Sequence, residues 1–308
     1  MTSISDVVSD EPRLFDPGAP LTASGNLRRR ATVSRLVEAG ATGAALIAVA
    51  MLLVVVIGVV IRGAPALSLG FVIHNPTGLA SGGIANYLIG TFVIVAFGAV
   101  LALPIGVLTG LYLTEFAGAR SRTGRALTLA LDLMQGIPTI IVGLFIYGLI
   151  VLAEHRQSGF AASIALAIIM LPLIARSSQE VLLLVPNSLR EAADALGVSR
   201  WRTVRGVILP SAIGGIVTGA ILATARTAGE TAPLLILDSL YDPNSTQLNI
   251  FGHGVPNVPM LILTVSDLAL PNAFTRAWGA AFVLLVLILL ANILARVVLA
   301  RSRRKGRA

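Results

Sequence analysis

The sequence predicts an all-α membrane protein: six transmembrane helices with a helix–turn–helix on the cytoplasmic side. Three observations predict it. Of 308 residues, 56% are hydrophobic and only 12% charged, whereas a soluble chain carries about a quarter charged residues. So few charges cannot coat a water-exposed surface, so the excess apolar surface faces lipid. The apolar residues gather into runs of about 20, the length that crosses the hydrocarbon core. Most of the 23 Lys and Arg cluster at the flanks of those runs, at Arg28–Arg30, at Arg120, Arg122 and Arg125, at Arg190–Arg205 and at Arg301–Arg307.

In chain order, residues 1–35 are expected to be a disordered cytoplasmic tail: Asp6, Asp10, Glu11 and Asp16 alternate with prolines, a composition too polar to build a core. It lacks the basic-then-apolar layout of a cleaved signal peptide. A membrane domain follows over 36–300, with spans at 41–62, 84–114, 126–153, 160–176, 209–237 and 277–299. Pro104 is expected to kink the second. The fourth is short and closes near Pro172 and Arg176. Gly106 with Gly110, and Gly215 with Gly219, have the spacing that lets membrane helices approach closely.

Two connections are long. Residues 186–210 form the cytoplasmic loop. Residues 238–276 form an outer loop whose apolar stretch Met260–Val265 is too short to span and is expected as a short helix at the outer surface. Residues 301–308 are a basic cytoplasmic tail. With both termini inside, Arg62, Arg156 and Arg276 are the only basic residues expected outside, and Arg226 falls within a span. All other Lys and Arg face the cytoplasm, as the positive-inside rule requires.

Some chemistry is excluded. There are no cysteines, so neither disulfides nor thiolate-held metals form. His74, His155 and His253 are far apart, and no metal or cofactor is expected. No G-x-x-x-x-G-K-[ST] phosphate loop is present; the only lysine is Lys305. The net charge of +8 reads as an orientation signal rather than a nucleic-acid surface.

Residues 186–210 read PNSLREAADALGVSRWRTVRGVILP. Pro186 and Asn187 start a helix with Ser188 as its cap, and Gly197 stops it. A second short helix from about Arg200 runs to Pro210. Small alanines let another protein approach the backbone, and Arg190 with Arg200–Arg205 offer a charged rim. Glu191, Ala192, Ala193, Asp194, Gly197, Val207, Leu209 and Pro210 resemble the EAA loop of ABC-importer permeases, with Val207 replacing the usual Ile. The resemblance implies the type I importer permease fold and a loop that seats in a cleft of a separate ATPase subunit. The chain itself is then no enzyme, but a subunit of an ATP-hydrolysing transport complex.

Arg226 and Glu230 lie in the fifth span, in ARTAGETAPLL. A central arginine costs at least about 2.5–3.5 kcal/mol on insertion. Four-residue spacing puts both on one helix face, where they can pair as a clamp between helices. Alternatively Arg226 faces a watery pathway, where its planar fork suits an oxyanion, with Glu230 holding it and keeping the site weak enough for release. Arg176 is either a cytoplasmic anchor or a second basic station on that pathway. ARTAGETAPLL, with GIPTIIVGLF (136–145), LPLIARSSQE (171–180) and NILARVV (292–298), is similar to the phosphate-specific ABC permeases of the PstA type. That resemblance implies inorganic phosphate as substrate, Arg176 and Arg226 as pathway arginines, and the plasma membrane of a prokaryote. The partners it implies are a PstC-type permease, two PstB-type ATPases and an external PstS-type binding protein. A permease for sulfate or molybdate is the alternative. A membrane enzyme or passive channel lacks support in the catalytic residue types present.

Overall fold

The computed structural model describes residues 25–78, 81–117, 121–239, 242, 249–268 and 270–305, with the side chains of all but 25–28, 271 and 298–305. Most of the expected acidic tail therefore lies outside the described residues. Its boundary at 35 moves, because α1 (Gly25–Gly63) begins at Gly25: beyond that glycine nothing up to Gly40 breaks a helix.

A 3₁₀ turn (Ala64–Ala66), α2 (Leu69–Ile73) and a small antiparallel hairpin of β1 (Pro76–Gly78) and β2 (Ser81–Gly82) lead into α3 (Ala85–Leu111). A wide turn, Tyr112–Phe116, prolongs α3. Next come α4 (Arg122–Gly136), α5 (Thr139–Ile146) and, after another wide turn, α6 (Leu152–Glu154). The long α7 (Gly159–Leu183) precedes α8 (Asn187–Ala195) and α9 (Arg200–Thr203). A wide turn over Val204–Ile208 joins α9 to α10 (Leu209–Thr227). The chain closes with α11 (Ala232–Leu237), α12 (Val258–Ser266) and α13 (Pro271–Lys305). The first residues of the expected basic tail thus continue α13.

Among the described residues, five helices are long and apolar enough to span: Arg29–Ala66, Ala85–Phe116, Gly159–Leu183, Arg200–Thr227 and Asn272–Val297. The third expected span, 126–153, is not straight. It breaks by 99° between α4 and α5, where Pro138 has no N–H to continue the ladder. The fourth span is longer than expected and runs to Leu183, so Arg176 lies inside it. The fifth ends early, at Thr227.

The core is built on α3, α7 and α10, with Ile94, Leu166, Met170 and Ile174 buried between the first two. Gly106 and Gly110 serve as their spacing predicted. A Cβ on Gly106 would stand 2.9 Å from Ile174 Cβ, and one on Gly110 2.8 Å from the Ala175 carbonyl oxygen. Gly215 and Gly219 likewise seat α10 against Val181 and Ser177 of α7.

The outer segment packs inward. α12 is the short helix expected in this segment, and it packs into the chain: Val258, Met260, Leu261 and Val265 are all buried. Its start is fixed by polar groups. The Asn257 side chain accepts from the Met260 N–H (3.0 Å), and the Thr91 hydroxyl accepts from the Val258 N–H (2.8 Å). The buried Asp238 carboxylate accepts from the Val255 N–H (2.8 Å) and from Asn257 Nδ2 (2.9 Å). Arg276 is also buried and donates to the carbonyls of Gly78 and Gly83, both at 2.8 Å.

Candidate functional site

The cytoplasmic loop folds as the expected helix–turn–helix. α8 starts after Pro186 without a side-chain cap. Ser188 is not its cap; Asn187 instead accepts from Arg190 Nη1 (3.0 Å). The helix ends in a Schellman motif: the Gly197 N–H donates to the Asp194 carbonyl and the Val198 N–H to that of Ala193, both at 3.0 Å. Gly197 sits at φ +67°, where a Cβ is strained. Gly197→Ala is expected to destabilise this segment by about 1–2 kcal/mol, seen as faster proteolysis between α8 and α9.

Glu191, Ala192, Asp194 and Gly197 are exposed, as a docking surface requires, whereas Ala193 is buried against the chain. Leu196, not singled out in the sequence, is 82% exposed and Trp201 56%. The exposed face of the loop thus carries two large apolar side chains and two carboxylates.

Two of the arginines read as a rim turn inward. Arg190 Nη2 donates to Glu115 Oε1 (2.7 Å), and Arg190 also donates to the carbonyls of Val185 (2.7 Å) and Leu182 (3.0 Å). Arg200 Nε donates to the Glu115 carbonyl (3.0 Å), and its Nη2 lies 3.3 Å from Glu115 Oε2. The Glu115 side chain has no exposed surface. One carboxylate at the end of α3 thus holds both helices of the loop. Sequence reasoning passed over Glu115. The available signal was a lone acid ending an apolar span, since such an acid is buried only with partners.

In the membrane, α10 stops at Thr227. Tight turns follow, Gly229 N–H to the Arg226 carbonyl (3.3 Å) and Glu230 N–H to that of Thr227 (3.0 Å), before α11 begins at Ala232 with Pro233 in its first turn. The expected continuous helix with Arg226 and Glu230 on one face is therefore broken, because Gly229 and Pro233 both oppose helix propagation. Among the described residues the two side chains form no ion pair with each other. Both open into a single cleft of about 120 Å³, whose other walls are the α4–α5 bend (Met134, Gln135, Ile137, Thr139) and α7 (Ile168, Pro172, Leu173). A cleft with one guanidinium, one carboxylate and the polar side chains of Gln135 and Thr139 among apolar walls can hold an anion weakly.

Arg176 is not in that cleft. It lies one turn further along α7, where its guanidinium donates to Asp132 and to the Thr128 carbonyl (3.4 Å) on α4, and to Gln179 Oε1 (2.9 Å).

Residues 102–304 match the family described as binding-protein-dependent transport system inner membrane component. The chain belongs to that family. A PstA 1 phosphate transport system permease protein of Mycobacterium tuberculosis is 40% identical over 73% of each chain. The PstA protein of Haemophilus influenzae is 39% identical over 76% of this chain and 82% of its own, and that of Yersinia pestis 36% identical over 74% and 76%. An inward-facing structure of the MetNI methionine ABC transporter superposes with a TM-score of 0.56 at 22% identity, covering 71% of this chain and 94% of that one. That likeness shows the fold.

A binding-protein-dependent inner membrane component is a multi-pass membrane protein working beside other ABC subunits. The family match spans the wide turn holding Glu115, the cytoplasmic loop and the Arg226 cleft, so both candidate sites lie within the shared region.

Proposed function

We propose that the chain is the permease subunit of an ATP-driven importer of inorganic phosphate and supplies half of the translocation pathway. The observation that carries this reading is the cleft at the broken end of α10, where Arg226 and Glu230 converge on the α4–α5 bend. A guanidinium donates paired hydrogen bonds to a tetrahedral oxyanion. The nearby carboxylate keeps binding weak enough for the ion to leave. The names of the curated relatives support phosphate as that oxyanion.

In this reading a PstC-type permease completes the pathway and a PstS-type protein delivers phosphate from outside. Two PstB-type subunits hydrolyse ATP, and the chain itself is not catalytic. One ATPase docks on the cytoplasmic loop through Glu191, Ala192, Asp194 and Gly197, with Leu196 and Trp201 supplying apolar contact. Arg190 acts from behind, through Glu115. Both termini are cytoplasmic, in the plasma membrane of a prokaryote.

The test is ATP-dependent phosphate uptake by the assembled complex in proteoliposomes. Arg226→Ala is expected to lower uptake by roughly tenfold or more, the loss of at least one charge-assisted interaction, with assembly unchanged. Wild-type uptake by that variant removes Arg226 from the pathway. Excess sulfate or molybdate is expected to leave phosphate uptake unchanged; equal competition assigns the cleft to oxyanions in general.

A further inference from the structure

Beside the Arg226 cleft lies a second one, and α4 and α7 contribute to both. On α7, Pro172 and Leu173 border that cleft, Arg176 follows one turn later, and Gln179 lines a second cleft beyond it. On α4, running alongside, Met134 and Gln135 border the first cleft, while Asp132, Thr128 and Arg125 line the second. The Arg176–Asp132 ion pair therefore stands at the junction of the two clefts.

The Arg176 side chain is 26% exposed and that of Asp132 57%. A carboxylate this exposed needs no buried partner and can swing into water when released. The Arg176 guanidinium donates to Asp132, to Gln179 and to the Thr128 carbonyl. A carboxylate and a phosphate oxyanion compete for the same planar donors.

We propose that Asp132 is an internal counter-anion for Arg176. It holds the arginine between the two clefts at rest and yields it to the transported oxyanion as that ion moves from Arg226 toward the cytoplasm. Asp132 is thus a positioning residue for passage: it blocks an attractive station until a competing anion arrives. The proposal rests on the reading of Arg226 as part of an anion pathway. It adds a resting-state block that Arg226 alone does not supply.

Proteoliposomes with the assembled complex, preloaded with labelled phosphate and free of ATP, report leak directly. Asp132→Asn retains the shape of the side chain and removes its charge; it is expected to raise ATP-independent efflux roughly fivefold, the scale of one lost ion-pair interaction. Asp132→Glu keeps the charge and is expected to leak like the wild type. Because Asp132 is exposed, neither change buries an unpaired group; Asp132→Ser takes the place of Asn should that variant fail to assemble. Leak unchanged by charge removal overturns the proposal, and so does leak raised equally by Asn and Glu, which marks general packing damage. Arg226→Ala is read in the same vesicles under ATP. Lost uptake there with no leak from Asp132→Asn leaves the pathway standing and removes only the block. Full uptake there removes the pathway, and this proposal with it.

Discussion

Replacing Glu115 with Ala is expected to detach the cytoplasmic loop from the membrane helices. The carboxylate is fully buried, and it receives Arg190 through both nitrogens of one guanidinium edge and Arg200 through another. Removing one partner of a buried pair costs about 3–5 kcal/mol, because the remaining charge is left without compensation. The cost falls mainly on Arg190, whose side chain is only 13% exposed; Arg200, at 43%, is rescued by water. The expected result is rapid proteolysis between residues 187 and 203. A double-mutant cycle with Arg190→Ala isolates the pair. Additive single effects contradict the assignment, and a coupling of about 1–3 kcal/mol supports it. Glu115→Gln is expected to fall between, since one amide oxygen still accepts while the amide nitrogen opposes the guanidinium.

Gly110→Val is expected to separate α3 from α7. A Cβ at this position meets the Ala175 carbonyl oxygen at 2.8 Å, Ser178 Cβ at 2.9 Å and the Gln179 N at 3.1 Å. Two of these atoms are backbone of a helix packed on its other faces, so they cannot rotate away as a side-chain tip could. Overpacking of this kind costs about 1–3 kcal/mol, and more where the backbone must shift. Thermal unfolding in detergent measures it. Gly148→Ala is the control: nothing lies within 4 Å of its Cβ direction, and an unchanged or higher midpoint is expected. A Gly110→Val protein that melts like the wild type contradicts the close approach.

Each half of the candidate site was legible to a different depth. Gly197 could be read as a helix stop because a left-handed residue at a helix end is a local requirement that glycine alone meets without strain. Arg226 and Glu230 could be found because charge inside an apolar run is costly wherever the run packs. Their pairing could not: it depended on whether the helix continued past Gly229, and the packing of α11 against α5, with Gly143 under Pro233, decides that. Arg190 and Arg200 were placed on a rim because nothing local reveals that Glu115, far back in the chain, waits beneath them.

By itself, then, the sequence determined the membrane class, the number of apolar segments, the helix–turn–helix with its glycine stop and the close approach of Gly106 and Gly110. Each follows from composition or from a spacing set by the geometry of a single helix. Only the tertiary structure decided that α4 and α5 bend by 99°, that α12 packs inside, that Glu115 clamps the loop, and that Arg176 faces Asp132 rather than the Arg226 cleft. These depend on pairs of residues distant in sequence, and periodicity carries no information about which partner a side chain meets.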